Sequence, residues 1–173
     1  MDILTVATQW AKDEIFSSKL FILAAILFVA IAIGFWQLGK SEIARAYIIP
    51  FAVCGALLLI IGGGLTYNNY SRLNSFPKTY SENSNEFIKA EIERTESTIT
   101  STEKTIFVWI PILIIVAALL IIFVDKPVWR AACVTTIAFL ITLLVVDSNS
   151  HSRIVGYDKA LKEVQSAELN KKQ

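Results

Sequence analysis

The chain has 173 residues, enough for one domain or a small helical bundle. Over half of them, 54%, are apolar, and the mean hydropathy of +0.56 lies well above ordinary globular composition. Sixteen basic residues nearly cancel fifteen acidic ones, so net charge gives no argument for nucleic acid as a partner.

The first element is the arm "MDILTVATQWAKDEIFSSK". On a helical wheel Ile3, Leu4, Val6, Ala7, Trp10, Ala11 and Ile15 fall on one half, and Thr5, Thr8, Gln9, Lys12 and Asp13 on the other. Residues 1–19 are therefore read as an amphipathic helix. It either lies in the membrane interface, with Trp10 at headgroup level, or packs against other helices outside the membrane.

Four apolar stretches follow. They are Leu20–Leu38, Ala46–Tyr67, Ile106–Val124 and Val128–Val146, the last holding one charge, Arg130, near its start. Nineteen helical residues span roughly 28 Å, close to the roughly 30 Å hydrocarbon core of a bilayer. Four soluble core helices are the other reading, but the remaining residues are too few to cover so much apolar surface. The first stretch is read as a retained helix. Its upstream arm is long and acidic, and "GFWQLGK" offers no small-x-small cleavage site.

The links "GKSEIAR" and "DKPVW" are short, which makes each pair of spans an antiparallel hairpin. Pro127 suits a helix start, while Pro50 and Pro111 fall one turn inside spans two and three. Orientation follows the basic residues. Lys12, Lys19, Arg72, Lys78, Lys89, Arg94, Lys104, Arg153, Lys159, Lys162, Lys171 and Lys172 fall on one side, against Lys40, Arg45, Lys126 and Arg130 on the other. Both termini and the middle region are expected in the cytoplasm, in a multi-pass membrane chain.

After span two comes "GGGLTYNNYSRLNSF". An ion filter needs a re-entrant loop, and a phosphate cradle needs a helix N-terminus. Three glycines at the C-terminal end of a full span suit neither. They are expected to be a flexible exit from the membrane. Tyr67, Asn68, Asn69, Tyr70, Arg72 and Lys78 then lie at the inner mouth. Aromatics interleaved with amides and bases can hold a nucleotide or single-stranded nucleic acid; the other reading is an aromatic belt with ordinary interfacial polar residues. Six glutamates between Glu82 and Glu103 would repel a polyanion unless they face elsewhere.

Residues 68–105 are read as a linker and then a helix. Asn83 with Glu86 three residues on is an N-cap arrangement. Ile88, Ile92, Thr95, Ile99, Thr102 and Ile106 step by four and three, so one helix should run from about Ser84 through Val124. Residues 147–173 repeat the pattern with Ile154, Tyr157, Leu161 and Val164. These seams pair with each other or with copies from other subunits. Ile88, Ile92, Ile99, Ile154 and Leu161 are the candidate oligomer seam.

Catalytic signatures are absent from the sequence: no phosphate-binding loop motif, no nucleophile elbow and no His-Glu-x-x-His. The chain is not expected to be an enzyme or to hold a cofactor. Asp147 and His151, one turn apart, suit a metal or a proton shuttle, or simply an interfacial acid beside polar neighbours; a metal needs more ligands, and His151 is the sole histidine. Cys54 and Cys133 lie inside apolar segments without metal-ligand spacing. The mid-span stretches carry no ionisable Asp, Glu, Lys or His, which weighs against coupled transport but not against a passive pore. Thr135, Thr136 and Thr142 could line such a pore or bond between helices.

"SRLNSFPKTY" with Arg72, "EFIKAEIERTE" with Phe87 and Arg94, and "DSNSHSR" with Asp147 and Arg153 give the chain a resemblance to small bacterial four-span membrane proteins. It covers most of the chain through short motifs. In size and layout the chain is also similar to membrane effectors of anti-phage systems such as Hailong or CBASS. That likeness implies a homo-oligomeric pore gated by a cytoplasmic nucleotide or nucleic-acid signal. The alternative is a membrane-anchored scaffold or accessory subunit docking a partner protein through its helical extensions. The expected fold is all-α: an integral membrane protein with hairpins over 20–67 and 106–146, an amphipathic N-terminal helix, and cytoplasmic extensions of helices three and four.

Overall fold

In a computed structural model, residues 3–171 are described, apart from the side chains of 168, 169 and 171. Lys172 and the side chain of Lys171, counted above among the basic residues, lie outside the described residues, as does Asp2. Among the described residues all regular structure is helical. The helices are α1 (Ile3–Leu38), α2 (Glu42–Ala46), α3 (Ile48–Glu82), α4 (Ser84–Lys104), α5 (Ile110–Phe123) and α6 (Pro127–Lys171), with a π-helical turn, Thr105–Trp109, between α4 and α5. Four helices, counting α2–α3 and α4–α5 as continuous units, are long and apolar enough to cross a membrane.

The N-terminal arm is no separate helix. It forms the first half of the 36-residue α1. Its apolar face is spent inside the molecule: Ile3, Ala7, Trp10 and Ala11 share a core with Phe76, Phe87, Ile88, Ile154, Tyr157 and Leu161. That core places the start of α1, the end of α3, the start of α4 and the far part of α6 at one end.

α1 and α3 run antiparallel, and small residues let them approach. Ala11, Ser18, Ala25 and Ala32 are buried at every seventh position of α1, and Gly55, Gly62, Asn69 and Phe76 at every seventh position of α3. A Cβ on Gly55 would stand 2.8 Å from Val29 Cγ2 and 3.3 Å from the Ala25 carbonyl oxygen. One on Gly62 would stand 2.9 Å from Ile22 Cγ1 and 3.0 Å from the Ser18 carbonyl oxygen. Gly63 and Gly64 face open space.

The glycines are therefore no flexible exit. α3 passes through them and through Pro77 to Glu82, so residues 68–82, read above as a linker, are helical. Pro77 removes one helical N–H. Around it the Ser75, Thr79 and Ser81 hydroxyls donate back to the carbonyls of Arg72, Ser75 and Lys78.

The expected Asn83 cap forms. Its Oδ1 accepts from the Glu86 N–H at 3.2 Å, and its Nδ2 donates to Glu86 Oε2 at 3.2 Å. α4 then runs into α5 as the seam required, with one irregularity. Pro111 lacks an N–H for the turn behind it, and the Ile110 N–H reaches five residues back to Thr105 O.

At the opposite end both links are closed by arginines. Arg45 Nε donates to Gly39 O at 3.2 Å, and Arg130 Nε to Val124 O at 2.7 Å. The first link is more than a turn, since it contains α2, capped by Ser41. In the apolar layer α3 packs on α1, α1 on α6 and α6 on α5, so α5 flanks the row with α6 as its principal neighbour.

Candidate functional site

Where the apolar layer ends, α1, α3, α4 and α6 separate around a polar cavity of about 370 Å³. Its floor is buried and comes mostly from α1 and α6: Trp10, Ser17, Ser18, Phe21, Val146 and Ile154. Its rim is exposed and comes from α3 and from α4 with the π turn: Leu65, Asn68, Thr98, Ser101 and Thr105. The cavity thus opens sideways between α3 and α4, level with the ends of their apolar stretches.

Three layers of charge line or back it. Deepest in the polar end, the Trp10 ring stacks on Tyr157, centroids 5.0 Å apart. The Arg94 guanidinium lies 4.7 Å and that of Arg72 5.9 Å from the Trp10 ring centre. Glu91 joins this group. It accepts two bonds from Arg94, at 2.9 and 2.6 Å, and one from the Tyr157 hydroxyl at 3.0 Å. Burial and the neighbouring Glu91 carboxylate hold the Tyr157 phenol above its ordinary range.

The middle layer is built on Glu14, a buried carboxylate on α1. It accepts from Ser150 Oγ and, at 3.1 Å, from Arg153 Nε, both on α6. Arg153 also donates to Ser17 Oγ, which locks α6 to α1. In the layer nearest the apolar segments is Asp147, which makes no hydrogen bond or ion pair among the described residues. Burial, then the Glu14 charge, push its carboxyl up to about 6. His151 does not pair with it. Its Nε2 lies 3.6 Å from Glu103 Oε1 on α4, and its Nδ1 is buried without a partner.

No family model matches this chain, and no curated protein or solved structure matches it either. Among the described residues no group of three His, Cys, Asp or Glu could hold a metal ion.

Of the residues singled out from sequence at the inner mouth, Asn68, Asn69 and Arg72 line the cavity. Arg72 Nη1 donates to Asn69 Oδ1 at 3.0 Å. Burial, then Arg94, hold its guanidinium below the usual arginine range. Tyr67 (75% exposed), Tyr70 (49%) and Lys78 stay outside. The cause is the unbroken helix: at about 100° per residue, Tyr67 and Lys78 lie roughly 160–180° round from Asn69.

The threonines do not form one free stripe. Thr135 is fully buried with its hydroxyl unpartnered, Thr136 is exposed, and the Thr142 hydroxyl bonds back to Ala138 O at 2.9 Å. The seam is consumed within the protomer. Ile88, Ile154 and Leu161 are buried in one core, with Ile92 and Ile99 packed against it. Thr95 adds a bond to Asp158 Oδ1 at 2.6 Å, tying α4 to α6.

Sequence reasoning did not single out Glu14, Glu91 or Asp158. Each had a signal: an acid set on an otherwise apolar or small stripe, Glu14 between Ala11 and Ser18, Glu91 between Ile88 and Thr95, Asp158 beside Tyr157 and Leu161. A buried acid requires a partner, and all three have one.

Proposed function

We propose that this chain is a multi-pass protein of the bacterial inner membrane, two transmembrane hairpins with both termini cytoplasmic. It acts as a homo-oligomeric, channel-like effector governed by a ligand that enters the cavity at its inner end. On the resemblance given above, its setting is anti-phage defence. The observation that carries the reading is the cavity. Its charged walls come from four helices, so occupancy bears on how α3 and α4 sit against α1 and α6, and a ligand acts by preferring one arrangement.

Two features support assembly. α5 packs chiefly on α6 and leaves Leu113, Val116, Leu119 and Leu120 exposed, a face for lipid or for a second copy. An apolar constriction between copies can gate by dewetting. The scaffold reading is weaker because the seam it would dock through is buried in the protomer.

The test is native mass in detergent together with leakage from proteoliposomes. An oligomer that leaks on ligand addition is expected. Monomeric protein in vesicles that stay tight under all ligands sinks the pore.

A further inference from the structure

In and behind the cavity wall three arginines, Arg72, Arg94 and Arg153, face three acids, Glu14, Glu91 and Asp147. Arg94 is committed to Glu91 and Arg153 to Glu14. Arg72 is the cation left over: among the described residues no carboxylate oxygen comes within 4.0 Å of it. Its one hydrogen bond goes to the neutral Asn69 amide. A guanidinium presents five N–H donors in a planar fork suited to two oxygens of one anion. On the rim of the same cavity Asn68 offers an exposed amide.

We propose that the cavity binds a single phosphate-ester group, with Arg72 as its anchor and the Asn68 amide as a further donor, admitted through the side window between α3 and α4. Two oxygens of such a group satisfy the Arg72 fork. The volume admits a headgroup or a small ester. A nucleic-acid strand is disfavoured, because Glu14 and Asp147 in the cavity lining would meet its further charges. Leu65 and Thr105 set the window at the depth where the apolar stretches end, so the phosphate is either that of a phospholipid headgroup or that of a soluble ester. Its role in gating rests on the reading above; its binding does not.

The full-length protein in detergent is titrated with phosphatidylglycerol, with a phosphate-free galactosyl diacylglycerol, with glycerol 3-phosphate and with a single-stranded oligonucleotide. Thermal unfolding and native mass are the readouts. Saturable stabilisation by phosphatidylglycerol alone identifies a lipid headgroup, and by glycerol 3-phosphate a soluble ester; either supports the site. Arg72→Gln should weaken half-saturation by about tenfold or more, and Arg72→Lys by less. Should Arg72→Gln fail to fold, Arg72→Lys and Ser101→Glu serve. Ser101 is an exposed rim position, and a carboxylate there should weaken binding several-fold without touching the core. Equal stabilisation by the galactolipid, response to the oligonucleotide alone, or wild-type binding by both Arg72→Lys and Ser101→Glu overturns the proposal. Tight vesicles with intact binding would remove the pore and leave the site standing, and leaking vesicles without binding would do the reverse.

Discussion

At single positions the structure separates residues that look alike in sequence. Gly62 and Gly63 are neighbours, yet only Gly62 faces α1 closely. Gly62→Ala forces a Cβ to within 3.0 Å of the Ser18 carbonyl oxygen, which cannot move alone. It should cost about 1–3 kcal/mol, the usual range for overpacking. Gly63→Ala meets nothing within 4 Å and should be neutral or stabilise by up to about 1 kcal/mol through helix propensity. Thermal midpoints in detergent decide it, and equal effects at the two sites would contradict the packing. Asp147 gives a pH test. Its carboxyl ordinarily titrates near 3.8 and is raised to about 6 in the fold. Folding thus favours the protonated form, and stability falls as pH rises through that interval. Asp147→Asn, which mimics the neutral acid, should stabilise by roughly 1–3 kcal/mol at neutral pH and by nothing near pH 3. A gain that persists unchanged in acid would refute the assignment.

Among the elements, the α4–α6 seam is an internal bond of the protomer. Leu161 is fully buried in it, so Leu161→Ala should cost about 2–5 kcal/mol while leaving the native mass in detergent unchanged. Dissociation of an oligomer without loss of protomer stability would return the seam to the subunit interface. This element was legible in part. The four- and three-residue steps and the Asn83–Glu86 cap gave the helix and its start, because both are local rules. Where the seam would be buried was not, since pairing within a chain and pairing between chains leave the same periodicity. α3 was misjudged where the glycines were read as an exit and the residues after them as a linker. A run of glycines and a proline weaken a helix considered alone, but the tight contact at Gly62 makes glycine the required residue there. The cavity shows the same limit. Arg72 was visible as a basic residue among amides, whereas its site depends on Trp10 and on Glu14, which meets Arg153 across 139 positions of sequence. No spacing rule reports such a contact.

For the whole molecule the deciding quantity is length. A 36-residue helix is about 54 Å long, well beyond the roughly 30 Å of hydrocarbon, so a helix of this length crossing a bilayer upright would leave about 24 Å outside it. All four long units project toward the same end, because the core of Ile3, Phe76, Phe87 and Leu161 joins α1, α3, α4 and α6 there. In a bilayer a molecule this lopsided has two orientations, and the proposed one puts the end richer in basic residues inside. The projecting end carries Arg72, Arg94, Arg153 and most of the lysines, while the short links hold Lys40, Arg45, Lys126 and Arg130. Ser41, on the first link, and Ser81, at the end of α3, are both exposed. Placed singly, Ser41→Cys should react with a membrane-impermeant maleimide in intact spheroplasts, and Ser81→Cys only after lysis, with the wild-type cysteines as background. The reverse pattern would turn the cavity to the outer face. That face meets no cytoplasmic nucleotide or ester, so the inverted result would remove the proposed intracellular control while leaving the proposed headgroup site, now in the outer leaflet, intact.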